Sequence, residues 1–172
     1  SDLPLENEKL APPPAPKPVV PSPPDKKPPA GPTVDLLKML VADRDIVNGK
    51  WMIQPAKVLL MEKRVKDTPI PRLEIPYTPP EEYDLRVNFR HTGNGGIYLL
   101  LSKGGSPFAF EMGGEANTVY SLRHVKEPPG DPTTTTVRKA KCLEGARSYA
   151  ALIEVRNAGI RAYLDELLIV YT

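Results

Sequence analysis

The sequence predicts an all-β domain, a two-sheet antiparallel sandwich, behind a proline-rich extended arm and one short helix. Three observations carry this. In residues 83–90, Tyr83, Leu85, Val87 and Phe89 alternate with Asp84, Arg86, Asn88 and Arg90, the period-two pattern of a strand with one buried face. Short apolar runs of this kind recur to residue 172, separated by glycine and proline turns and by no helical stretch, which disfavours a parallel α/β fold. Residues 1–33 hold too much proline to build a core: proline fixes φ, lacks a donor N–H and keeps the preceding residue extended.

The arm, residues 1–33, comes first. Its stretch 11–32 should be polyproline II or irregular, a stiff spacer or a docking segment. Lys9, Lys17, Lys26 and Lys27 balance Asp2, Glu6, Glu8 and Asp25, so it is no polybasic tether for nucleic acid or membrane. Leu3, Leu5, Leu10, Val19 and Val20 are its apolar anchors. Proline has little freedom to lose, so such an arm docks on a neighbouring subunit at low entropic cost.

The domain proper spans 34–172. Residues 34–44 read as a helix, capped at Thr33 or Asp35, with Leu36, Leu37, Met39, Leu40 and Val41 as its apolar face. Asn48-Gly49 marks a turn before a strand-like stretch to residue 54. Further strands are expected at 57–62 and 72–76, the latter ending in a proline-rich corner at 76–80. After 83–90 come a turn at 91–96 and strands at 97–102, 108–112 and 117–123. Residues 126–136 read as a polar loop. A closing meander runs 149–156, 160–164 and 167–171, with turns at 157–159 and 165–166. At least ten strands in the two sheets are expected, with Leu85, Val87, Phe89, Phe110, Ile153, Val155 and Leu164 inside.

Composition narrows the chemistry. The 172 residues carry 40% hydrophobic residues, enough for one core, a net charge of only +2, and 22 prolines. No apolar run approaches the ~20 residues of a membrane-spanning helix. A first residue of Ser1 fits a processed end or a cut boundary. Cys142 is the sole cysteine, so no internal disulfide framework exists; it reads as a small semi-buried residue. With it, His91 and His124 could supply at most three zinc ligands, without ligand spacing. No metal and no cofactor is expected. The glycine runs at 93–96 (GNGG), 104–105 and 113–114 lack a following helix and read as hairpin turns, not phosphate loops. No serine sits in a nucleophile-elbow pattern. Glu111 and Glu154 fall on the polar phase of their strands, and a sugar hydrolase needs two carboxylates about 5–10 Å apart. Arg86, Arg90, Arg156 and Arg161 share that phase, so cross-strand ion pairs on a solvated face are the favoured reading. Trp51 reads as a core anchor in preference to a sugar platform, and Tyr98 and Tyr163 as exposed aromatic contacts.

Four segments carry a family resemblance: DLLKMLVADRDIVNGKW (35–51), IPYTPPEEYDLRVNF (75–89), FAFEMGG (108–114) and VRNAGIRAYLDELLIVY (155–171). Residues 35–172, about four-fifths of the chain, resemble a bacterial concanavalin A-like (laminin G-like) sandwich module of secreted or surface proteins. In the family's closing strand, hydrophobic-x-Ala-Tyr-x-Asp-Gly, Arg161-Ala-Tyr-Leu-Asp165 matches, but Glu166 replaces the glycine, which should change the turn. The resemblance implies a jelly-roll sandwich and export to the cell surface, periplasm or exterior. Its relatives include sugar binders, protein binders and keto-disaccharide hydrolases, so fold does not choose among them. The expectation is a non-catalytic interaction module, assembling with itself or other subunits through the arm. One sheet face, bearing Arg86, Asn88, Arg90, Tyr98, Glu111, Glu154, Arg156, Arg161 and Tyr163, is the candidate polysaccharide site. The alternative is a sugar-acting hydrolase using carboxylates on that face.

Overall fold

A computed structural model describes residues 31–54, 59–61, 69–93, 95–124 and 135–172. Residues 1–30 of the arm, with Leu3, Leu5, Leu10, Val19 and Val20, lie outside the described residues, as does 125–134 of the expected polar loop.

Among the described residues, eight strands form two antiparallel four-stranded sheets packed face to face. The first holds β5 (Tyr83–His91), β10 (Arg147–Arg156), β11 (Gly159–Leu164) and β12 (Leu167–Tyr171), in the order β12-β11-β10-β5. The second is a meander of β6 (Ile97–Lys103), β7 (Ser106–Gly113), β8 (Val119–His124) and β9 (Thr135–Arg138). Four short strands make two separate ribbons: β1 (Ile46–Asn48) with β4 (Arg72–Leu73), and β2 (Trp51–Ile53) with β3 (Leu59–Met61). The expected ten or more strands in two sheets are therefore eight, with the N-terminal strands too short to extend either sheet. Strand β9 falls partly in the stretch read as loop, because Thr135 and Val137 carry only a four-residue alternation.

The core is made by the alternation itself. Phe108, Phe110, Met112, Tyr120 and Leu122 point inward from the second sheet, and Tyr149, Ala151, Ile153, Val155, Ile160, Ala162, Leu164 and Val170 from the first. Each large side chain so buried contributes roughly 1.5–3 kcal/mol relative to exposure. Arg86 and Asn88 face solvent, so the register read from the sequence holds. Leu85, Val87 and Phe89 pack against this core but are only partly buried, because β5 is an edge strand.

The link from β9 to β10 closes one end of the sandwich. Leu143 is fully buried there. Asn117 clamps it through both amide atoms: Nδ2 donates to the Leu143 carbonyl (2.6 Å), and Oδ1 accepts from the Leu143 N–H (2.8 Å). The Tyr120 hydroxyl donates to the Cys142 carbonyl at 2.5 Å. Cys142 is buried beside it, and that burial pushes its thiol up. At the other edge, the Tyr83 hydroxyl donates to the Ser102 carbonyl (2.8 Å) and ties β5 to β6.

Three local expectations need correction. The helix over 34–44 is instead a 3-10 turn, Leu36–Met39, and a single α-turn, α1 (Ala42–Asp45). Asp35 does cap the first, accepting from Leu37 N–H. The buried Asp45 carboxylate then takes the Val41 N–H (2.8 Å) and the Arg44 guanidinium, folding the chain back where a continuous helix would run on. Trp51 is half-buried in β2, outside the core cluster, its Nε1–H on the Asn48 carbonyl. The turn between β11 and β12 keeps left-handed geometry without glycine: φ is 48° at Asp165 and 68° at Glu166. Aspartate tolerates that region, and the Asp165 carboxylate further fixes it by accepting from Ala150 N–H (2.9 Å) and Arg147 (2.6 Å).

Candidate functional site on the outer sheet faces

Each sheet turns one phase of its strands to the core and the other away from it, so the sandwich has two outer faces pointing in opposite directions, although on β7 and β8 the outer phase, Ala109, Glu111 and Ser121, is buried too. The nine residues expected on one face divide between them. Arg86, Asn88, Arg90, Glu154, Arg156, Arg161 and Tyr163 lie on the outer face of the β5-β10-β11-β12 sheet. Tyr98 and Glu111 lie on the outer face of the β6–β9 sheet. The polar phase of a strand is legible in sequence, but which sheet the strand joins is set by long-range pairing, here β5 with β10.

On the first face, register builds cross-strand rows. Leu168, Tyr163, Leu152 and Arg86 form one, and Tyr171, Arg161, Glu154 and Asp84 the next. Beyond these, Ala150 stands opposite Asn88, and Ser148 opposite Arg90. Several side chains are already engaged. Arg156 pairs with Asp84 at 2.7 Å and donates to the Tyr83 carbonyl. Tyr163 is only 6% exposed, and its hydroxyl donates to Glu154 (3.2 Å). Burial foremost, then the Glu154 charge, pushes its phenol up. Tyr163 is thus packed between Leu152 and Leu168, a correction to its reading as an exposed contact. Arg86, Asn88, Arg90 and Arg161 are exposed, and their side chains hold no hydrogen bond or ion pair among the described residues.

At the β5–β10 end of this face lies a shallow depression of about 430 Å³, lined by Asn88, Phe89, Arg90, Ser148, Tyr149, Ala150 and Asp165. Ser148 and Asp165 were not singled out from the sequence. Ser148 was detectable, since it shares the phase of Ala150, Leu152 and Glu154. Asp165 reaches the site only through the turn.

The second face carries a polar row, Tyr98–Glu111–Ser121. Glu111 is 9% exposed; its Oε1 accepts from Tyr98 at 2.6 Å and its Oε2 from Ser121 at 2.8 Å. Tyr98 is exposed, with Arg123 over its ring at 5.8 Å from the centroid. The hydrogen bond to Glu111 pushes the Tyr98 phenol up to about 12. Ser121 and Arg123 lie in the stretch 117–123, where the sequence marks a strand but no partner for either side chain. Glu111 and Glu154, the carboxylate pair a hydrolase would use, lie on opposite sides of the molecule and cannot flank one glycosidic bond.

His91 caps β5 on the inward side, with Nε2 2.9 Å from the Gly95 carbonyl. Among the described residues, no three His, Cys, Asp or Glu side chains gather as metal ligands, and no helix is long and apolar enough to cross a membrane. No family model matches the chain, and no curated protein or solved structure matches it significantly.

Proposed function

We propose that this chain is a non-catalytic interaction module of the bacterial concanavalin A-like (laminin G-like) kind, working outside the cytoplasm. It binds polysaccharide on the outer face of the β5-β10-β11-β12 sheet and assembles with neighbouring subunits through residues 1–33. The observation that carries this reading is the gathering of Arg86, Asn88, Arg90 and Arg161 on one sheet face, exposed and without partners among the described residues. Solvated, uncommitted donors on a rigid sheet can take a polar polymer without breaking contacts of the fold. The hydrolase alternative loses its motive, since Glu111 and Glu154 serve different faces and each already accepts a tyrosine hydroxyl.

The test is to run the full chain through native gels containing a panel of polysaccharides, while assaying the same polymers for released reducing ends. Retardation by at least one polymer, with no reducing ends released, is the expected result. Release of reducing ends would put the hydrolase reading first. Absence of retardation throughout would confine the module to protein partners.

A further inference from the structure

We propose that the depression at the β5–β10 end of the first sheet takes carboxylate groups of an acidic polysaccharide, with Arg90 as its anion clamp. This rests on the module reading above and names its ligand class.

The geometry begins with register. Ser148 stands opposite Arg90 and Ala150 opposite Asn88, all on the outer face. The methyl group of Ala150 leaves the floor open between the longer side chains, and the depression of about 430 Å³ lies there. Asn88, Arg90 and Ser148 line it with side chains that hold no hydrogen bond or ion pair among the described residues. Each neighbours the next, so a guanidinium, an amide and a hydroxyl converge on one open space.

The sign of the ligand follows from the charges around that space. Asp165 is the one carboxylate lining it. Its Oδ1 already accepts from Ala150 N–H, and its Oδ2 from Arg147. Asp165 and Arg147 therefore neutralise each other, and the Arg90 charge stands uncompensated. A guanidinium presents a planar fork of donors that matches a carboxylate with two parallel hydrogen bonds. The Ser148 hydroxyl and the Asn88 amide each both donate and accept, which suits the hydroxyls beside a sugar carboxylate.

The depression is shallow, and a small acid held there would stay largely solvated, unlike a ligand enclosed in a deep pocket. A polymer overcomes this by repetition. Arg86 lies on the same face of β5, four residues before Arg90 and so on the order of 13 Å away. Arg161 continues the basic track two strands over. Linked contacts of this kind raise affinity through effective concentration. Nucleic acid is the other polyanion to consider: the exposed ring of Tyr171 stands opposite Arg161 but does not line the depression at Arg90, so base stacking has no platform there, and competition by an oligonucleotide decides between the two.

The experiment is affinity electrophoresis of the full chain in gels containing polygalacturonate or neutral pullulan, with the variants Arg90→Ala, Arg90→Lys, Arg86→Ala and Lys38→Ala. Polygalacturonate should retard the chain and pullulan should not. Arg90→Ala should weaken retardation about tenfold, the loss expected for one charge-assisted contact. Arg90→Lys should restore it only in part, and Lys38→Ala, in the 3-10 turn and not among the residues lining the depression, should change nothing. Retardation by pullulan alone overturns the acidic class and leaves the module reading standing. Equal weakening by Lys38→Ala, or equal competition by a single-stranded oligonucleotide, overturns the site in favour of diffuse charge attraction. No retardation by either polymer overturns the proposal; the module reading then rests on whether other polysaccharides or arm-dependent assembly remain.

Discussion

At Gly114 a methyl group would overlap the carboxylate of Glu111, so the second glycine of FAFEMGG makes room for the Tyr98–Glu111–Ser121 row. The residues after it form a left-handed turn, with φ of 45°, 58° and 70° at Glu115, Ala116 and Asn117. Left-handed backbone costs a non-glycine residue roughly 1–2 kcal/mol. Asn117 offsets this by clamping Leu143 and Glu115 by pairing with Arg138, whereas Ala116 is exposed and has no side chain to hold. Ala116→Gly should therefore stabilise the domain by about 1 kcal/mol in denaturant unfolding; no change, or a loss, would place the turn elsewhere in backbone space. Tyr98 offers a titration. Its folded value, about 12, lies above the ~10 of an unfolded tyrosine, so the folded state prefers the neutral phenol. That contribution is complete below pH ~10 and is lost as pH rises through about 12. Tyr98→Phe should remove a late phenolate step, near pH 12, from the ultraviolet titration and flatten the alkaline loss of stability in that window. Loss of a step at pH ~10 instead would mean that the Glu111 bond does not form.

The strands separate what a sequence states from what pairing decides. Phe110 is fully buried in β7, flanked by β6 and β8, while Phe89 is half-buried on the edge strand β5 and stacked on Tyr149 at 5.4 Å. Phe110→Ala should cost about 3–5 kcal/mol and Phe89→Ala clearly less, about 2 kcal/mol; the reverse order would mean that β5 is an interior strand. Inward and outward positions of β5, β7, β10 and β11 were legible because alternation is a local property of the pleat. The depth of Phe89 was not, because edge position depends on which strand comes to lie alongside. The failed helix over 34–44 has the same kind of cause. Apolar spacing favoured it, but the Asp45 carboxylate returns to the Val41 N–H and Arg44 and ends each turn early. The candidate site was legible as a list of outward polar residues and illegible as a surface: only the β5–β10 pairing brings Ser148 beside Arg90, and only the sheet division removes Tyr98 and Glu111.

For the whole molecule, the core that the described residues form runs from Tyr83 to Val170. Removal of residues 1–33 should leave the melting temperature within a few degrees and, by the proposed assembly role, convert the particle to monomers in mass photometry. Assembly that survives the deletion would move the subunit contact onto the sandwich, and unfolding would make the arm part of the core. The sandwich then has two unlike sides: a face on β5-β10-β11-β12 that carries the exposed Arg86, Arg90 and Arg161 beside its own Arg156–Asp84 and Tyr163–Glu154 contacts, and a face on β6–β9 whose buried carboxylate is satisfied within its own row. The most direct test of that asymmetry is a backbone-amide NMR titration of the isotope-labelled full chain with polygalacturonate oligomers. Shifts should concentrate at 86–90, 148–154 and 161–163 and leave 98–100 and 121–123 still; shifts concentrated on the second face, or none anywhere, would contradict it.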